Sequence, residues 1–217
     1  MVSYRNVIIL AKSYRLGERC IAGIFEDTGE WVRPIAANND GCIDRRLVED
    51  ISLLDVVKIP FSRKPDPPIK YQSENWIMAP GKWEFVRKII RQELLRYCEN
   101  DGLLMYSTND CVKPSYLDSL PPAQWKSLQL LRVRANFVKD RSYYTRPKYR
   151  VMFEDKYKNM LNISVTDEEF LDRLESGEKF KDKEFLITVS LGRPWQPPNG
   201  GLPLKCYKLA AGILELE

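Results

Sequence analysis

The feature that most constrains this chain is a pattern of short alternating apolar segments that occurs twice in the same order. In the second half, residues 128–138 (LQLLRVRANFV) are β-favouring, with Arg132 and Arg134 on one alternating face. Residues 148–155 alternate again, with Tyr149, Val151 and Phe153 in phase, and 160–165 place Leu161, Ile163 and Val165 in phase. Thr166-Asp167-Glu168-Glu169 reads as a capping box with Thr166 as the cap, opening a helix whose apolar face is Phe170, Leu171 and Leu174 and which stops at Gly177. Strands over 184–191 and 206–216 follow, Gly212 marking a bulge in the last.

The first half repeats this plan. Strands are expected over 6–12, 19–26, 31–35, 53–61 and 72–78, with a short helix within 43–51. Asp27-Thr28-Gly29-Glu30 is a hairpin turn, and Pro34 implies an edge or a bulge. Val57 to Pro65 faintly echoes Val189 to Pro194. Three strands, a helix and two strands is the OB-fold plan. Between the halves, Trp83, Val86, Ile90, Leu94 and Tyr97 form one apolar stripe at helical spacing, so a helix of about five turns is expected over 81–100. The expectation is a mainly β chain with a helical insert (α+β): an OB-like five-stranded β-barrel over 1–79, a helical connector over 80–127 and a second OB-like barrel over 128–217.

The chain has 217 residues and no histidine, which removes Ser-His-Asp and Cys-His catalysis and leaves chemistry to carboxylates, Lys, Tyr or Cys. Cys20, Cys42, Cys98, Cys111 and Cys206 show no Cys-x-x-Cys pair and read as reduced, buried thiols; no metal or cofactor is expected. No stretch is long and apolar enough to span a membrane, and Met1-Val2-Ser3-Tyr4-Arg5 lacks the apolar core of a signal peptide, so the expected compartment is the cytoplasm.

Several short motifs carry a resemblance. ILAKSYR, RCIAGI, GEWVRPI, VSLGRPW and YKLAAGIL resemble the dual OB domain-containing proteins of bacteria across essentially the whole chain. Gly29 to Ile35 and Ser190 to Trp195 are the most specific pieces. The resemblance implies tandem OB folds and a nucleic-acid-binding role, and brings no catalytic motif.

OB barrels bind their ligands between the loop joining strands one and two and the loop joining strands four and five. A single-stranded nucleic acid needs cations for its phosphates and rings for its bases there. Residues 139–150 (KDRSYYTRPKYR) carry a net charge of +4, equal to that of the whole chain, with Arg141, Tyr143, Tyr144 and Arg146 at their centre. Residues 193–205 supply Arg193 and Trp195. In the first half the equivalent connections are 13–19, with Tyr14 and Arg15, and 62–71, with Arg63, Lys64, Lys70 and Tyr71. Lys12, Trp31, Arg33, Lys58, Arg132 and Arg134 are expected to line the faces, and the loops to share one rim of each barrel. The bland alternative is that such loops are merely solvated and that Trp31 is a core residue. The leading reading is a non-catalytic binder of single-stranded DNA or RNA. Two alternatives stay open: a metal-dependent nuclease using Asp140, Glu154 and Lys156, and a protein-interaction module.

Overall fold

The computed structural model describes residues 2–15, 18–37, 41, 43–69, 71–99, 104–140, 148–181, 183–196 and 203–216; the side chains of residues 14, 15 and 18 are outside that description. The chain divides into two units, Met1–Ile69 with Glu74–Tyr97, and Lys70–Ser73 with Cys98–Glu217. Both are mainly β. Among the described residues no helix is long and apolar enough to cross a membrane.

The first unit holds β1 (Ser3–Arg15), β2 (Glu18–Phe25), β3 (Trp31–Ile35), β4 (Asp55–Arg63), β5 (Asn75–Met78) and β6 (Glu84–Lys88). Its sheet order is β1-β2-β3-β5-β4-β6, and β1 also pairs with β4, so five strands return on themselves. β1 pairs with two strands, and β4 with three: β1, β5 and β6. Val7, Ile9, Val57 and Ile59 are buried, while Lys58 between the last two stays half-exposed. Phe25, Phe61 and Trp76 meet edge to face with centroids 5.5–5.8 Å apart and close the core. β1 is bulged between Ile9 and Ala11, opposite Gly23. A Cβ on Gly23 would stand 2.0 Å from the Ile8 carbonyl oxygen, so only glycine fits. β3 is flanked by β2 and, in parallel, by β5; its pairing with β2 spans Trp31 and Val32, so Pro34 faces a partner strand on one side only. A one-turn 3₁₀ helix, Arg45–Leu47, stands where the short helix was expected, capped by Asp44.

The helix expected over 81–100 does not form. Glu84–Lys88 is β6, paired with Asp55 to Lys58 of β4, and Arg91–Tyr97 is a 3₁₀ helix burying Leu94. β5 pairs only with the far end of β4, at Phe61 and Arg63. The near end of β4 would otherwise present bare amides and carbonyls, and β6 satisfies them. The stripe is real as a spacing, but its Val86 and Ile90 are exposed.

The second unit holds β7 (Cys111–Val112), α1 (Pro114–Asp118), β8 (Leu128–Asp140), β9 (Lys148–Glu154), β10 (Met160–Val165), α2 (Glu168–Glu175), β11 (Lys183–Leu191) and β12 (Cys206–Leu216). Its sheet order is β10-β9-β8-β11-β12-β7, with β10 meeting β12 in parallel over two pairs, Ser164 with Leu209 and Val165 with Ala210. The short bridging strand β7 was not foreseen. Phe137, Phe170, Phe180 and Phe185 cluster at the centre of the core. α2 is capped by Asp167, not Thr166: Asp167 accepts from Phe170 N at 3.1 Å, and its second oxygen accepts from Ile213 N at 2.7 Å. β12 is bulged beside Gly212 as its sequence predicts, and the shifted register places the Ile213 amide on that carboxylate.

Candidate nucleic-acid interface

The outward face of β8 is set by period-2 alternation. Leu131, Val133 and Ala135 are buried while Arg132, Arg134, Asn136 and Val138 are exposed. Register extends this face across neighbouring strands: Asn136 lies opposite Met152 on β9, which lies opposite Asn162 on β10. Arg132 donates to Glu184 on β11 at 2.8 Å, which holds the Glu184 carboxyl below its ordinary range. Arg134 is exposed and makes no ion pair among the described residues. Arg150 is committed to the fold. Its Nε donates to Asn162 Oδ1 at 2.7 Å and its Nη2 to the Asn162 carbonyl and to Asp110 at 3.2 Å.

At one end of this face lies the connection between β11 and β12. An isolated antiparallel bridge joins Trp195 to Lys205, with backbone hydrogen bonds of 2.9 and 3.1 Å. Trp195 is 52% exposed, and Tyr207 meets its ring edge-on at 5.8 Å. Arg193 is half-buried; its Nε donates to Gln72 at 3.4 Å, and Gln72 donates to the Leu191 carbonyl at 3.3 Å. The indole is thus half exposed, held by its backbone bridge and by the Tyr207 contact, with cationic side chains on either side of it in sequence.

In the first unit the expected residues are mostly committed elsewhere. Lys12 donates to the Glu49 and Ile51 carbonyls at 3.2 and 2.6 Å and clasps the segment before β4. Arg33 is 7% exposed, with Nη1 donating to Asn75 at 3.4 Å, so it lies inside and offers no charge to a face. Lys58 is half-buried, 3.9 Å from Glu84 and above the Tyr4 ring. Trp31 is half-buried at the start of β3, and Arg63 is exposed at the end of β4. Tyr71, expected with the first barrel, belongs to the second unit and is anchored, not displayed: its hydroxyl donates to Asp118 at 2.6 Å and its ring meets Trp125 edge-on, and burial with the Asp118 contact pushes its pKa up to about 12. The side chains of Tyr14 and Arg15, and all of Arg141, Tyr143, Tyr144 and Arg146, lie outside the described residues.

Two expectations change. The connections were expected on one rim, but Leu128 pairs with Ser190 while Asp140 pairs with Lys148. The two basic connections of the second unit therefore leave from opposite ends of β8, with Arg132, Arg134, Asn136 and Val138 between them. The carboxylates of the nuclease alternative are also separated. Asp140 is level with Lys148, and Glu154 lies six residues further along β9, about 20 Å at the rise of a strand. Glu154 pairs with Lys158 at 3.2 Å, and Asp155 is consumed by the Tyr157 and Asn159 amides and the Asn159 side chain. Among the described residues no group of three metal-binding side chains gathers. Asn136, Met152, Asn162 and Tyr207 were not singled out from sequence; Asn136 shares the parity of Arg132 and Arg134, whereas the others need the strand pairing.

Free Cys206 is buried, which pushes its thiol up to about 11, and Cys20, Cys98 and Cys111 are partly buried. Lys208 is buried too; its Nζ donates to the Ser107 carbonyl and hydroxyl at 2.6 and 3.1 Å, and burial brings it down to about 8.

Among solved structures, the tetrameric p202 HIN2 aligns with a TM-score of 0.35 at 8% identity, covering 100% of this chain and 96% of that one. The p204 HINb domain aligns with a TM-score of 0.41 at 11% identity, covering 99% and 97%. Likenesses this distant say nothing of function. No curated protein matches the chain. A family model described as the dual OB-containing domain matches residues 5–213. With nearly its whole length inside that match, the chain belongs to the family of dual OB-containing domains.

Proposed function

We propose that this protein is a non-catalytic nucleic-acid-binding protein, built on two OB barrels, that holds single-stranded DNA or RNA along the outward face of β8. The observation that carries the reading is Trp195, an exposed indole braced by Tyr207 and by the Lys205 bridge at one end of a face bearing Arg132 and Arg134. A strand laid along β8 would stack a base on Trp195 and run its phosphates past Arg134 towards Lys139 and Lys148. Stacking on such a platform is worth about 1–3 kcal/mol per base and accepts any base, because every base has a π-face. Arg132, released from Glu184 by a phosphate, would exchange one exposed ion pair for another at little net cost.

The test is a panel of single- and double-stranded DNA and RNA at two ionic strengths. Preference for single strands with affinity falling as salt rises supports the reading. Affinity that does not change with salt, or no binding to any member of the panel, would refute it.

A further inference from the structure

A second recess in the same unit lies beside the β8 face. On the N-terminal side of Ala135, β8 runs without β9 beside it, because β9 ends at Glu154 and the chain turns towards β10. A cleft of about 220 Å³ opens there. Its apolar lining is Leu131, Val133, Phe153 and Leu161, with Leu104 and Gln129 beside them. Arg132, Arg134 and Lys156 stand at the mouth, with Glu154 and Asp155.

Both acids are spent locally. Glu154 is paired with Lys158, and Asp155 holds the turn through three hydrogen bonds. The mouth therefore presents cationic character to an incoming group, chiefly from the exposed Arg134. Gln129 is 3% exposed; its Nε2 donates to the Glu99 carbonyl at 2.7 Å and its Oε1 accepts from the Met105 amide. That oxygen keeps a second lone pair. Pockets that hold drug-sized ligands measure roughly 300–1,000 Å³, so this one is sized for a single ring system. An apolar slot with one fixed acceptor inside and a guanidinium at its mouth matches a flat heterocycle carrying an exocyclic amine and an attached phosphate.

We propose that this cleft receives one nucleobase of the bound strand, with Gln129 accepting from its amine and Arg134 engaging its phosphate. The inference rests on the single-strand reading above and adds a base subsite distinct from the Trp195 platform. It also predicts a preference: adenine, cytosine and guanine carry an exocyclic amine for Gln129, whereas uracil and thymine offer only a ring N–H.

The experiment follows backbone amide shifts of the full chain by NMR during titration with AMP, UMP, inorganic phosphate and a short oligoadenylate. The expected result is that AMP and the oligonucleotide shift amides within 131–134 and 153–156, UMP and phosphate do so more weakly, and Arg134→Ala lowers the AMP affinity by about tenfold. Arg134 is exposed, so the variant keeps its fold, which the unperturbed remainder of its spectrum verifies. An oligonucleotide that binds without moving these amides overturns the subsite and leaves the single-strand reading intact. Equal shifts from phosphate and AMP reduce the cleft to an anion site and overturn the base assignment. AMP binding at the cleft with no oligonucleotide binding overturns the single-strand reading and, with it, a subsite for a strand. No shift from any ligand overturns both.

Discussion

Trp195 and Asp167 show how differently single residues are used here. An indole 52% exposed gives up hydrophobic burial unless something covers it, and bracing by Tyr207 limits the rotamer freedom a ligand would have to freeze. Trp195→Ala is expected to weaken single-strand binding by about 1–3 kcal/mol, read by fluorescence anisotropy, while the melting temperature stays close to that of the parent. Asp167 is the opposite case. Burial pushes its carboxyl up to about 7, with neighbouring Glu169 adding to the rise, although the Phe170 and Ile213 amides favour the ionised form. Its folded pKa lies above the ordinary 3.8, so the folded protein keeps a proton that the unfolded chain has released. The stability this gives is complete below about pH 4 and is lost as pH rises through about 7. Denaturant unfolding between about pH 5 and pH 8 should show a loss on the order of 3 kcal/mol from this group, and Asp167→Asn should flatten that slope. Lys208, lowered to about 8, acts in the opposite sense and in a different window, adding stability as pH climbs from about 8 towards 10.5.

Strands decide which of these side chains reach solvent. Gly23 sits where β2 crosses the bulged stretch of β1, with the Ile8 carbonyl oxygen where a Cβ would be. Gly23→Ala must push β1 and β2 apart, and a loss of about 2–3 kcal/mol in chemical denaturation is expected, with the second unit's aromatic core unaffected. On β8, Arg134→Glu reverses one charge on the outward face without touching the core. It should weaken binding to all single strands alike and reduce the dependence of affinity on salt by about one phosphate contact. Strand positions were largely legible in the sequence because period-2 alternation is local: the parity that exposes Arg132 and Arg134 is visible in LQLLRVRANFV. Arg33 looks no different in WVRPI, yet it is buried against Asn75, since β3 is flanked on both sides and covered. The stripe over 81–100 failed for a related reason. A helical spacing of apolar residues cannot report that β4, thirty residues earlier, needs an edge partner.

Across the whole molecule the net charge is only +4, so the total field is weak and attraction to a polyanion depends on local arrangement. If Arg134, Lys139 and Lys148 each meet a phosphate, the logarithm of affinity should fall against that of salt concentration with a slope of about −2. A slope near zero would mean that these cations lie off the strand's path. What the sequence by itself determined is the repeated strand order, the turns, the bulge at Gly212 and the alternation that makes β8 two-faced, because each depends on residues within a few positions of one another. Which strand pairs with which, and in what register, only the tertiary structure decided. That register sends the basic connections to opposite ends of β8, carries Glu154 away from Asp140, hands the α2 cap to Asp167 and opens the cleft where β9 leaves β8. Each of these results from backbone groups finding partners far away in the chain, and a local pattern holds no record of that choice.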